Sequence, residues 1–209
     1  MKKLSVITLL FLTAISAVNA TTIALASTSA GRSAFDSGSV RLPNGSLVRI
    51  GTFSNPGLIT PALITVGTME SVGGWSQFGT LSTTSIFGNA GKLTGQFTDN
   101  TAAANAFNNA ALYLWVFNAS TTVGASETGI FRATAGSPAW TFPTNAGGVG
   151  DTVTLDMNDL TVAAVGSRGS ASASEFKLSA INAAPEPTSA ALLTLGLVSL
   201  ASRRRRQMK

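Results

Sequence analysis

The chain has 209 residues, 14 Lys and Arg against 9 Asp and Glu, and neither Cys nor His. The missing His and Cys exclude Ser-His-Asp and Cys-His nucleophile systems and His-ligated zinc or iron sites, and leave no disulfide to hold a fold together. The pI of about 10.3 does not mark a nucleic-acid binder: residues 21–184 carry 7 basic and 8 acidic side chains, so the excess positive charge sits at the two ends and no basic stripe remains for phosphate contacts.

The N-terminus reads Met1-Lys2-Lys3, an apolar run from Leu4 to Val18, then Val18-Asn19-Ala20. This is the order of a secretory signal peptide: a basic start, a short apolar stretch and a small-residue cleavage site. The run has 15 residues, short of the roughly 20 that a spanning helix needs. Val18 and Ala20 fit the −3 and −1 pockets of signal peptidase, so the cut is placed after Ala20. Residues 1–20 are thus predicted to be a signal helix.

Residues 21–184 form the second unit. Of these, 97 are Gly, Ala, Ser, Thr or Asn. The stretch still holds ten Phe, three Trp and one Tyr, enough for a core and too many for wholesale disorder. Asn44-Gly45 between Val40–Leu42 and Ser46–Phe53 predicts a hairpin, since both turn positions tolerate positive φ. Asn55-Pro56-Gly57 predicts a turn. Over 58–90 the pattern is ambiguous. Leu63–Val66 starts either a strand or a helix toward Trp75 and Phe78, and Gly73, Gly74 and Gly79 point to loop. Further strands are predicted at Lys92–Thr98, Ala111–Asn118, Thr128–Ala133, Thr152–Leu155, Leu160–Val165 and Glu175–Ile181, with one helical turn at Ala102–Asn109. The expected fold is all-β, a β-sandwich or jelly-roll-like body. Within it, Leu112, Leu114 and Val116 line one face of a strand and Tyr113, Trp115 and Phe117 the other, which predicts a central strand covered on both sides. The alternative for that strand is an open aromatic platform for sugar rings.

No catalytic, cofactor-binding or metal-ligating set is predicted. Gly91-Lys92-Leu93-Thr94 lacks the first Gly and the Ser or Thr of a P-loop. Ser174-Glu175-Phe176-Lys177 matches S-x-x-K without its partner motifs. Asp156-Met157-Asn158-Asp159 lacks the calcium-loop spacing and reads as a solvated Asx turn. Eight acidic residues give poor odds for a carboxylate pair of the glycosidase type. Thr152-Val153-Thr154 is a single Thr-x-Thr, not the repeated ladder that ice binding requires.

The last unit, residues 185–209, has three parts. Pro185-Glu186-Pro187 breaks incoming structure. The run 188–202 is small and apolar, about 22 Å long as a helix at ~1.5 Å per residue, against a hydrocarbon core of about 30 Å. Arg203, Arg204, Arg205 and Arg206 follow and favour the cytoplasmic face. This order resembles the PEP-CTERM domain, a sorting signal processed by an exosortase; the same tag is also known as an ice-binding protein C-terminal domain, a label that says nothing about this body. The resemblance implies transit through the inner membrane, recognition at Pro185-Glu186-Pro187, and release or transfer to the surface, often together with exopolysaccharide. Lys2, Lys3 and the four arginines place both ends in the cytoplasm and the segment between them outside. The expected function is that of an exported cell-surface or matrix protein, not an enzyme. Its expected partners are signal peptidase, exosortase and exopolysaccharide, with transient insertion in the inner membrane. A carbohydrate-binding or adhesive module is the alternative.

Overall fold

Short alternating apolar runs separated by Gly-, Ser- and Asn-rich breaks fold as strands here. The structure, a computed structural model, describes residues 20–27, 32–60, 65–99, 107–133, 140–144, 149–159, 162–168 and 175–181. Along them run β1 (Ala20–Ala26), β2 (Ser33–Phe35), β3 (Leu47–Phe53), β4 (Trp75–Ser82), β5 (Thr84–Ile86), β6 (Asn89–Lys92) and β7 (Gly95–Asp99). They continue with β8 (Tyr113–Phe117), β9 (Glu127–Arg132), β10 (Val149–Asp156), β11 (Val162–Val165), β12 (Ser167–Arg168), β13 (Glu175–Lys177) and β14 (Ser179–Ala180). A short helix, α1 (Val66–Val72), precedes β4. The predicted N-terminal signal helix and C-terminal apolar helix lie outside the described residues. Among the described residues no helix is long and apolar enough to cross a membrane.

The largest sheet has the order β11-β9-β8-β3-β4, with β14 also paired to β9. Its β3–β4, β3–β8, β8–β9, β9–β11 and β9–β14 pairs are all antiparallel. A second sheet, β10-β1-β7, has β1 in the middle, parallel to β10 and antiparallel to β7. Two small sheets, β12-β13-β2 and β5-β6, complete the set among the described residues. All-β is therefore correct. The β1–β10 and β2–β13 pairs are parallel, whereas a jelly roll is antiparallel throughout.

Two clusters flank the large sheet. On one face Val48, Ile50, Phe78, Leu114, Val116 and Phe131 pack with Ile23, Leu25 and Leu155 of the second sheet and with Phe176 of β13. On the other face Phe53, Tyr113, Trp115, Phe117 and Ile130 pack with Met69 of α1 and with Ile59. Every residue of β8 is buried, and β8 lies inside its sheet, as the two apolar faces of its sequence require.

Several local expectations are corrected. The Asn44-Gly45 turn exists, with Gly45 at φ 86, but it does not join a hairpin. Leu42 N–H donates to Ala34 O, Gly45 N–H donates to Thr83 O, and β3 pairs with β4 and β8. The 58–90 region is mostly regular. Thr65 caps α1, its hydroxyl accepting from Thr68 N–H, which satisfies one of the free donors of a helix start. Leu63 and Ile64 lie outside the described residues. Gly79 lies in β4, not in a loop. A bulge between Ile50 and Gly51 sets Phe78 and Gly79 opposite one residue of β3. A Cβ at Gly79 would stand 2.3 Å from the Phe97 ring, so only Gly lets that ring close on Phe78, 5.6 Å away. The expected strand Lys92–Thr98 is broken into β6 and β7 at residues 93–94. The expected 175–181 strand splits into β13 and β14. Most of the expected helical turn at 102–109 lies outside the described residues.

Candidate functional site

The strand Tyr113–Phe117 decides whether the body offers a platform of rings. Trp115 is 0% exposed. Its indole Nε1 donates to Thr128 Oγ1 at 2.7 Å, and the same hydroxyl donates to Val116 O at 2.9 Å. Phe53, Trp75 and Phe117 stand 5.8, 5.3 and 5.2 Å from its ring. The aromatic face is therefore an interior one. Trp75 is partly exposed, yet Phe53 lies 4.6 Å from its ring and the Arg49 guanidinium 5.4 Å from it.

Arg49 of β3 is the most connected polar residue of this face. Its Nε donates to Gln77 Oε1 at 2.6 Å, its Nη1 pairs with the Glu70 carboxylate of α1, and its guanidinium lies 4.9 Å from the Trp115 ring. A largely covered cation over an indole face, paired with the exposed Glu70 carboxylate, links α1 to the aromatic cluster. Nothing near Arg49 in the sequence announces this group, because Glu70 and Gln77 come from other elements.

The remaining motifs resolve into structural roles. Lys92 is 1% exposed, and burial, helped by the nearby Arg41 charge, lowers its pKa from the ordinary 10.5. Gly91, at φ 72, faces Ala34 O, 2.5 Å from where a Cβ would be. The Gly91-Lys92 pair thus packs β6 against β2 and starts no helix, so it holds no phosphate loop. Lys177 donates to Ser39 Oγ at 2.7 Å and sits 3.7 Å from Glu175; Ser174 lies outside the described residues. Asp156 Oδ1 accepts from Asn158 N–H at 2.8 Å, an Asx turn. Among the described residues no group of His, Cys, Asp and Glu has a metal-binding arrangement.

One surface was invisible in the sequence. The register of β10-β1-β7 sets Thr22 beside both Thr152 and Thr98, and Ala24 beside both Thr154 and Gln96. Thr98, Thr152, Thr154 and Gln96 are exposed, and the Thr22 and Thr98 hydroxyls are 2.7 Å apart. The lone Thr-x-Thr of β10 therefore belongs to a hydroxyl-rich face gathered from three strands.

The two ends carry the remaining predicted residues. Ala20 is the first residue of β1, so a cut after it leaves a chain beginning at Thr21, inside that strand. Pro185, Glu186, Pro187, Arg203, Arg204, Arg205 and Arg206 lie outside the described residues. The last described residue, Ile181, donates its N–H to Ser126 O beside the start of β9. No curated protein and no solved structure matches the chain. The family model for the PEP-CTERM protein-sorting motif matches residues 183–206, a stretch that includes all seven of those C-terminal residues. The chain is thus an exported protein that carries a PEP-CTERM protein-sorting motif at residues 183–206, a sorting signal for an exosortase.

Proposed function

We propose that this is a structural protein of the cell surface or extracellular matrix, made as a precursor with a signal peptide and a C-terminal stop. Signal peptidase cuts after Ala20. The run 188–202 pauses in the inner membrane, with Arg203–Arg206 held on the cytoplasmic side because moving a basic cluster across the bilayer is costly. Exosortase then acts near Pro185-Glu186-Pro187 and frees residues 21–184. We take that body to be a β-sandwich in which β10-β1-β7 covers the large sheet, a reading supported by their shared core. A non-catalytic role next to exopolysaccharide is supported by the lack of His and Cys and by the scarcity of charge.

The observation that carries the reading is the match at residues 183–206. Its test is mass spectrometry of protein extracted from the cell surface. The mature pool is expected to begin at Thr21 and to lack the residues beyond the Pro185-Glu186-Pro187 region. An intact peptide reaching Lys209 in that pool refutes the sorting step.

The second reading, a carbohydrate-binding or adhesive module, is favoured by the hydroxyl-rich face of β10-β1-β7. A glycan pull-down with the mature protein, compared with a Thr98→Val, Thr152→Val, Thr154→Val variant, separates the two. Retention that this variant loses supports the adhesive reading.

A further inference from the structure

We propose that one end of the body is a lipid-contact surface, which rests on the bilayer headgroups while the C-terminal segment is in the membrane. The proposal builds on the membrane pause described above. It starts from three side chains for which the folded body has no use: Phe87, Val123 and Val40 are 91%, 97% and 64% exposed.

Connectivity gathers these three at one end. The β8–β9 loop, which holds Val123, meets the start of β3 through Leu47 N–H to Ala119 O. Ser37, in the turn before Val40, is held by Glu127 at the start of β9, whose carboxylate accepts from the Ser37 N–H and hydroxyl. Arg41 donates to Asn89 Oδ1 at 2.9 Å, which aligns the β5–β6 hairpin with that turn. Gly91 sits against Ala34 and Leu42, so the hairpin tip at Phe87 points the same way as the 36–40 turn.

The tip itself is unusual. Phe87 and Gly88 have φ 49 and 78, the two positive values of a hairpin turn whose first position favours Asn, Asp or Gly. A bulky ring there is strained and packs on nothing in the body. Charge at this end also suits a membrane surface. The two carboxylates here are engaged locally, Asp36 Oδ1 accepting from Val40 N–H and Glu127 from the Ser37 N–H and hydroxyl. Arg41 is an exposed residue whose guanidinium, held by Asn89 and over the Phe35 ring, supplies a cation for anionic headgroups.

What selects lipid as the occupant is the position of Ile181 and the short length of sequence between it and the apolar run. Ser179 and Ala180 pair with Thr128 and Glu127, and Ile181 bonds to Ser126, all beside the Val123 loop. Six residues, 182–187, lie between Ile181 and the apolar run, and the seven steps from Ile181 to Thr188 reach at most about 25 Å. With residues 188–202 in the bilayer, this end of the body stays within that reach of the surface.

The chain has no Cys, so single Cys substitutions carry a polarity-sensitive fluorophore cleanly. Phe87→Cys, Val123→Cys and Val40→Cys report the proposed surface. Leu58→Cys and Val72→Cys report the opposite end, near the β3–β4 connection, and Ser199→Cys reports insertion of the apolar run. The full precursor is reconstituted into vesicles of phosphatidylethanolamine and phosphatidylglycerol with headgroup-level spin labels. The expected result is blue-shifted, quenched emission at 40, 87 and 123, water-like emission at 58 and 72, and a buried probe at 199. A buried probe at 199 with water-like emission at 87 and 123 overturns the contact and leaves the insertion reading intact. A water-like probe at 199 overturns the insertion reading and the contact with it. A blue shift at 87 that grows with protein concentration without vesicles makes a second copy the occupant, and also overturns the proposal.

Discussion

Truncating Trp115 tests the account of the body most directly. The side chain is fully buried between Phe53, Trp75 and Phe117 and under Arg49. Replacing such a ring with Ala removes its transfer energy and leaves a cavity, for a loss of about 3–5 kcal/mol. Against a typical total of roughly 5–15 kcal/mol, that is a large share. Trp115→Phe keeps most of the packing and removes the bond to Thr128 Oγ1, for about 1–2 kcal/mol. Thr128→Val strands the indole N–H without a partner at a cost of about 1–3 kcal/mol, so the double variant Trp115→Phe, Thr128→Val should cost less than the sum of the singles. Urea unfolding of the mature protein, followed by far-UV circular dichroism, reads all four. The reasoning is refuted if Trp115→Ala costs less than about 1 kcal/mol, below the range for a buried ring, while abolishing polysaccharide binding. That pair of results belongs to an open ring platform.

Gly79→Ala sets a methyl against the Phe97 ring and should cost about 1–3 kcal/mol by overpacking; in a Phe97→Ala background most of that penalty should vanish in the same urea assay. Lys92 has a folded-state pKa below 10.5, so its charge opposes folding at neutral pH. As pH rises from that lowered value toward 10.5, the folded chain releases the proton before the unfolded one, and stability should gain a positive slope. Lys92→Met should lack that slope in alkaline urea titrations, and an identical slope in both proteins contradicts the assignment. In cells, Glu186→Ala should leave the precursor inserted but uncut, seen as a longer membrane-bound band. Replacing Arg203, Arg204, Arg205 and Arg206 with Ser should instead let the tail slip through and reduce processing.

How far the sequence speaks depends on whether a signal is contiguous. The sorting motif is readable because proline, apolar run and arginines follow one another within a single stretch. β8 is equally readable: its burial on both faces follows from the alternation of Leu112, Leu114 and Val116 with Tyr113, Trp115 and Phe117. The Asn44-Gly45 turn is readable as a bend, but the partner of β3 is not, since pairing is chosen by packing at a distance. Ile50 and Val48 join the interior through β4 and β8, while Arg41 and Leu42 fall back on β2. β1 is hidden for a related reason. Its run Thr21–Ala26 closely follows the apolar stretch of the N-terminus in the sequence, and its pairing with β7 and β10 joins residues far apart along the chain. The same pairing creates the hydroxyl-rich face, so no local motif reveals it.

The abundance of small residues, which from composition alone suits an exposed β or matrix protein, serves two opposite purposes in the fold. Inside, the missing side chains make room for rings: a Cβ at Gly51 would stand 2.7 Å from the Trp75 indole, and one at Gly79 is barred by Phe97. A body with no disulfide depends on such ring packing for its rigidity. Outside, Thr98, Thr152 and Thr154 are exposed on the β10-β1-β7 sheet, with Asp156 next in the same alternation along β10. The two populations therefore separate by experiment. Exposed Thr→Val changes should stay within about 0.5 kcal/mol of the parent, whereas Gly→Ala at the ring contacts should cost about 1–3 kcal/mol. Because the outer changes leave the fold standing, any loss of polymer binding they cause can be assigned to the surface itself. If instead the outer Thr variants unfold as readily as Gly79→Ala, the sheet face is structural, and the adhesive reading loses its support.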